Sequence, residues 1–435
     1  STSIKLKANR RMITHCLVLV ASVCCDTLSH FSLPAMNKQS VPALGAASWI
    51  TDAAAAPAAD SLFYLDHPAP LFRKEFRPDN PDIIKAVLFI SAAGYYTATL
   101  NGSKIGEAFL DPAWTDVTRR IYYSEFDSTA AILQGDNCLG ITLGNGFYNP
   151  LPLRMWGNLN LREKIPNGRP ACIARLLITY ADGRQQELVT DASWHYGYGP
   201  VRKNNVYLGI VYDGRHECPG WDQPGYGAAD WPKAVVCSGP GGRLQKAFFP
   251  AIRNTRNIKP VRMVELSQDR FLADFGENFA GLYSIRMHGR PGDSVVFRFG
   301  ERIYENGELN PMTAVCGQIK RKGQGGAGAP DVAWQQDVYV FGSERDIHFT
   351  PDFTFHTFRY MEITGLCYKP DSAEITGLVL HTDVEPCNSF SCSSKVLNQI
   401  QRMTARTFLC NLFSVQSDCP ARERFGYGGD LNAFS

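Results

Sequence analysis

Short runs of alternating apolar and polar residues, each closed by a turn signal, dominate the chain from about residue 65 to residue 385. Tyr96, Ala98 and Leu100 alternate up to Asn101-Gly102, and the apolar run Val87-Leu88-Phe89-Ile90 lies just before them. Residues 172–180 form another apolar run that ends at Asp182-Gly183, and residues 295–299 precede Asn306-Gly307. Period-two alternation places one set of side chains on one face of a strand. Asn-Gly and Asp-Gly supply the positive φ angles of tight reversals. Strands at this spacing predict β-sandwiches. At Ser393 the period changes. Val396, Leu397, Ile400, Met403, Thr404, Phe408 and Leu412 recur at helical spacing, with Ser393 or Ser394 placed to cap the first turn.

This pattern divides the chain. We expect a mainly β protein with two consecutive antiparallel, jelly-roll-like β-sandwiches at 65–243 and 244–386, the break marked by Ser238-Gly239-Pro240-Gly241-Gly242. Residues 31–64 are Ala/Pro-rich towards their end and read as a linker, and 387–435 begin a helical segment. The composition agrees: 38 Gly and 26 Pro suit many turns, while 25 Phe, 18 Tyr and 7 Trp require large cores and exclude global disorder. The 44 basic and 42 acidic residues leave a net charge of +2, so no nucleic-acid partner and no polybasic membrane patch are expected.

Near the N-terminus, Lys5, Lys7, Arg10 and Arg11 precede an uncharged run from Met12 to Cys25 that Asp26 closes. The run is shorter than the roughly 20 residues of a membrane span. Residues 1–30 therefore read as an export leader, and the protein is expected in the periplasm or outside the cell. Ala21-Ser22-Val23-Cys24 faintly resembles a lipoprotein cleavage site, and an untranslated stretch ahead of the true start is the competing reading.

No cofactor and no metal are expected. Thirteen cysteines include no CxxC pair, and the ten outside the leader read as buried free thiols. Gly323, Gly325 and Gly328 form a GxGxxG, but Lys320-Arg321-Lys322 precedes it and Pro330 follows, where a dinucleotide site needs a strand and a helix. There is no GxSxG, HExxH or P-loop. His356 and His381 read as structural histidines. Trp114, Trp156, Trp194, Trp221, Trp231 and Trp334 read as packing residues, and residues 145–157 as the best candidate for a substrate-facing loop.

The chemistry concentrates in Asp418-Cys419-Pro420-Ala421-Arg422-Glu423-Arg424-Phe425-Gly426-Tyr427-Gly428-Gly429-Asp430. Three carboxylates, two guanidiniums and a tyrosine share a segment whose proline and glycines predict an irregular loop. Such a loop at a helix end aims several polar groups at one point, as a sugar pocket requires. A surface loop of self-paired ions, Glu423 with Arg422 or Arg424, has the same composition.

This segment resembles the signature of the bacterial α-L-rhamnosidases, glycoside hydrolase family 78. Residues 413–417 (Phe-Ser-Val-Gln-Ser), 275–281, His356-Thr357-Phe358-Arg359-Tyr360 and His381-Thr382-Asp383-Val384 resemble the same family. The resemblance covers about 65–435. It implies that 387–435 open an (α/α)6 six-hairpin barrel, and that the partner is a rhamnose-containing glycan or glycoside. It implies Glu423 as catalytic general acid, with Asp418, Arg422 and Asp430 holding rhamnose hydroxyls and Tyr427 in the pocket wall. Arg422 and Arg424 would favour an ionised Glu423, so burial, Asp418 and Asp430 must outweigh them to keep the acid protonated. The family inverts configuration, which needs a second carboxylate roughly 6.5–9.5 Å from the acid. No candidate base occurs before Ser435, so the chain reads as part of a larger enzyme, inactive by itself. A non-catalytic carbohydrate-binding sandwich protein and another (α/α)-barrel hydrolase or lyase are the competing readings.

Overall fold

The computed structural model describes residues 43–385, 387, 389–427 and 429. The leader reading of residues 1–30 and the proposed sugar ligand Asp430 both fall outside these residues. The alternation read in the sequence becomes two sandwiches. In the strand Ile83–Ala93, Ala86, Leu88, Ile90 and Ala92 are buried between the sheets. That strand lies in a seven-stranded sheet beside Ala171–Tyr180 and Arg120–Asp127. A five-stranded sheet in the order His195–Tyr198, Pro70–Phe76, Asn137–Gly144, Tyr95–Leu100, Ser103–Lys104 faces it. Ile50, Phe72, Leu88, Ile141, Cys172, Ile178 and Trp194 fill the space between. The Asn-Gly and Asp-Gly signals fall at reversals. Asn101 and Gly102 take φ 54° and 82° between the fourth and fifth of those strands, and Gly183 takes φ 81° between Ala171–Tyr180 and Gln185–Val189.

Part of the stretch expected as linker is folded. Trp49–Thr51 pairs with both Ala171–Tyr180 and Val235–Cys237, and Ile50 is fully buried. Three residues suffice because one isoleucine reaches the core, too short a signal to stand out in an Ala/Pro-rich background.

The second sandwich is built on a ten-stranded sheet around Arg270–His288, a strand of 19 residues. This strand pairs with His356–Thr364 along its first part and with Ile375–Thr382 and Asp346–Phe349 along its second, with an irregularity between Asp274 and Phe279. Phe271, Phe279, Tyr283, Phe297, Phe299, Phe341, Phe358 and Ile363 form its core. Gly281 permits the change of partner: a Cβ there would lie 1.9 Å from the Leu378 carbonyl oxygen. The hairpin Val201–Asn205/Gly209–Asp213, although it lies within 65–243, hydrogen-bonds into this second sheet through Gln336–Val340.

A third apolar cluster joins the two sandwiches. Tyr95, Phe147 and Met155 from the first meet Tyr207, Leu282, Val315, Cys316, Phe353, Phe355 and Leu380, and Phe413 and Phe425 of the tail pack against them. The helix Lys395–Cys410 begins where Ser394 accepts a hydrogen bond from Leu397 N. It docks on the second sandwich through Arg406, which reaches Asn278 O and the Glu277 carboxylate. Val396, Leu397, Ile400 and Met403 stay exposed. Leu412 leaves the helix for a two-stranded hairpin with Val415–Gln416. No described helix is long and apolar enough to cross a membrane.

Candidate active site

The segment from Asp418 is an irregular loop, as its proline and glycines require. It closes on itself: Asp418 N donates to Phe425 O at 2.9 Å, Phe425 N to Asp418 Oδ1 at 3.2 Å, and Arg424 N to Cys419 O at 3.2 Å. These bonds hold Asp418 beside Glu423. Phe425 is pinned by edge-on contacts with Trp114 and Phe147, which stack on each other at 4.1 Å. The loop 145–157 thus reaches the acidic segment, with Phe147 serving as packing.

Glu423, Asp418 and Arg422 are half-buried, and Tyr427 is 40% exposed at the rim. Burial, first, and then the neighbouring Asp418 carboxylate raise the Glu423 pKa above the ordinary glutamate value. The Tyr427 hydroxyl and Arg422 pull it the other way. The neighbouring Asp418 carboxylate thus opposes a second negative charge on Glu423. A raised carboxyl beside a second carboxylate fits a group that delivers a proton near neutral pH. Burial also raises Tyr427, helped by its bond to Glu423.

The structure corrects one part of the sequence reading. Arg424 does not act on Glu423 as a neighbouring charge: it is 2% exposed and turned into the molecule. Its Nε donates to Pro420 O at 2.8 Å and its Nη2 to Gln335 Oε1 at 3.0 Å. Its guanidinium lies 3.9 Å from the Phe355 ring centroid and 5.8 Å from that of Tyr207. A φ of 61° at Arg424 swings the side chain inward. Burial pulls its pKa below the usual arginine value. Arg422 is therefore the guanidinium beside the acid, and among the described residues no ion pair ties Glu423 to either arginine.

His356 is buried, as expected of a structural residue, but it has the acidic partner the sequence did not suggest: its Nε2 lies 2.8 Å from Asp337 Oδ2. His381 is satisfied by Thr255 Oγ1 and Thr382 O. The residues around the loop that sequence reading missed are Tyr207, Gly317, Gln335 and Phe355. Only Gly317, at φ 55°, belongs to a type that marks a special backbone position. Among the described residues no cluster of three or more His, Cys, Asp or Glu is arranged to hold a metal, and the ten cysteines there are unpaired, but only Cys138, Cys172 and Cys316 are buried as expected.

Residues 81–256 match the α-L-rhamnosidase N-terminal domain, residues 264–381 the bacterial α-L-rhamnosidase concanavalin-like domain, and residues 385–435 the bacterial α-L-rhamnosidase six-hairpin glycosidase domain. An α-L-rhamnosidase of Formosa agariphila is 30% identical over 357 residues, covering 82% of this chain and 36% of that protein. The solved α-L-rhamnosidase of Dictyoglumus thermophilum is similar with a TM-score of 0.76 and 33% identity, over 88% of this chain and 41% of that one. A Streptomyces avermitilis α-L-rhamnosidase complexed with L-rhamnose is similar with a TM-score of 0.75 and 28% identity, over 85% and 34%. The chain spans between about a third and two fifths of the length of these relatives.

Proposed function

The chain belongs to the bacterial α-L-rhamnosidase family, and from that premise we propose that it carries the acid half of a site that hydrolyses terminal, non-reducing α-L-rhamnose from glycans or glycosides. Glu423 protonates the departing glycosidic oxygen. Asp418 and Arg422 hold ring hydroxyls, Asp430 joins them, and Tyr427 covers an apolar face of the 6-deoxy sugar. The observation that carries this reading is the pairing of a half-buried Glu423, raised by burial and by Asp418, with Asp418 inside one closed loop. The relative solved with L-rhamnose supports the choice of sugar.

The reaction inverts configuration in this proposal. Inversion needs a second carboxylate roughly 6.5–9.5 Å from Glu423, a role distinct from that of Asp418, which is its immediate electrostatic neighbour. Among the described residues no second carboxylate is assigned as the base, and the leader-like residues 1–30 support a substrate outside the cytoplasm. A panel of p-nitrophenyl glycosides offered to the full-length protein carrying this chain tests the assignment. Hydrolysis confined to the α-L-rhamnoside is expected, and on methyl α-L-rhamnoside, whose leaving group needs the proton, Glu423→Gln is expected to be about 10²–10⁴-fold slower. Equal turnover of several sugars, or an unimpaired Glu423→Gln, overturns it.

A further inference from the structure

The loop that carries Glu423 is gripped by the second sandwich along its backbone. Four consecutive carbonyls are each taken by a donor: Pro420 O by Arg424 Nε, Ala421 O by Gln335 Nε2, Arg422 O by Gly317 N at 3.1 Å, and Glu423 O by the Tyr207 hydroxyl at 2.8 Å. None of the last three donors lies within 80 residues of its acceptor in sequence. A loop satisfying only its own polar groups would find them locally or in water. Here distant donors converge on the residues that flank one carboxyl group.

Gln335 is the centre of the grip. It is 1% exposed, and its amide nitrogen donates to Ala314 O as well as Ala421 O. Its amide oxygen accepts from Arg424 and lies 3.3 Å from His356 Nδ1, while His356 Nε2 faces Asp337. Because a guanidinium only donates, the oxygen of the amide has to face Arg424, and the nitrogen then falls on the two carbonyls. Asp337 Oδ1 in turn accepts from Ile210 N at 3.0 Å, tying the chain of contacts into the sheet. Gly317 belongs to the same device. At φ 55°, a Cβ there would meet Met155 Cγ at 2.6 Å, so only glycine lets its N–H reach Arg422 O.

We propose that Gln335 and Tyr207 are positioning residues for Glu423: through the loop backbone and Arg424 they fix where the acid stands relative to the glycosidic oxygen. The proposal rests on the reading of Glu423 as general acid. Side chains of this kind act through geometry, and a displacement of about 1 Å at a reacting group costs up to 10²-fold in rate. Losing the position of an acid also has a chemical signature. A poor leaving group needs the proton, whereas 2,4-dinitrophenolate departs without it.

The test compares methyl α-L-rhamnoside with 2,4-dinitrophenyl α-L-rhamnoside in the full-length protein, using Glu423→Gln, Gln335→Met and Tyr207→Phe. In Gln335→Met, kcat/KM is expected to fall about 30-fold or more for the methyl glycoside and less than about threefold for the dinitrophenyl glycoside. Tyr207→Phe, which deletes one hydroxyl and keeps the ring packing, shifts the same ratio in the same direction by a smaller factor. The ratio does not depend on the folded fraction of a preparation, and Tyr207→Phe supplies it should Gln335→Met not fold. Equal losses on both substrates mean a merely structural role and overturn the proposal, provided that Glu423→Gln shows the leaving-group dependence. If Glu423→Gln lacks that dependence, the acid assignment itself has failed, and the positioning role falls with it.

Discussion

Two arginines flank Glu423 in the sequence, and as neighbouring charges both are expected to favour its ionised form. In the structure they have opposite duties, because the positive φ of Arg424 sends its guanidinium into the space between Gln335, Phe355 and Tyr207, and leaves Arg422 beside the acid. The types and spacing of Asp418, Arg422, Glu423 and Tyr427 were legible in the sequence. The direction of Arg424 was not, since one backbone dihedral decides it. The Tyr427 hydroxyl stabilises the ionised form of Glu423 and so lowers a pKa that burial and Asp418 raise. Tyr427→Phe removes that hydrogen bond and raises the Glu423 pKa further. Because the acid works only when protonated, the alkaline limb of kcat/KM against pH is expected to move to higher pH in this variant. A shift to lower pH would contradict the assigned hydrogen bond.

Strands were legible where side chains alternate over five residues or more, as at 95–100 and 295–299, because one face is buried and the period is two. Trp49–Thr51 was invisible because three residues carry no period. The helix was legible to Phe408, but Leu412 belongs to a hairpin: the chain leaves the helix at Asn411, whose side chain donates to Thr407 O. Two predictions belong to this scale. Gly281→Ala forces a Cβ against the Leu378 carbonyl and is expected to cost about 3 kcal/mol or more, read by chemical denaturation of the described domains. The apolar side chains of the helix that are 50–68% exposed, among them Ile400 and Met403, have little to lose. Met403→Glu in this chain is expected to change stability by less than about 0.5 kcal/mol, and a large loss would show that the stripe is covered.

Across the whole molecule, the sandwiches form a mould for the loop that carries Glu423. Its determinants were the least legible part of the sequence. Tyr207, Gly317 and Gln335 have no shared motif or period, and Tyr207 meets the loop because the hairpin at 201–213 crosses into the second sheet. At this scale belongs the stereochemical prediction. If the reaction inverts, as proposed, the first sugar released by the full-length protein is expected to be β-L-rhamnose. Proton NMR during early turnover reads this directly, and an initial α anomer would contradict inversion.

The most direct test of Glu423 as the proton donor is the pH dependence of kcat/KM on an α-L-rhamnoside with a poor leaving group. Wild type is expected to lose activity as pH rises through the ionisation of a carboxyl group raised above the usual glutamate range. Glu423→Gln is expected to be slow at every pH, with that alkaline limb gone. An alkaline limb that survives unchanged in Glu423→Gln would show that another group delivers the proton.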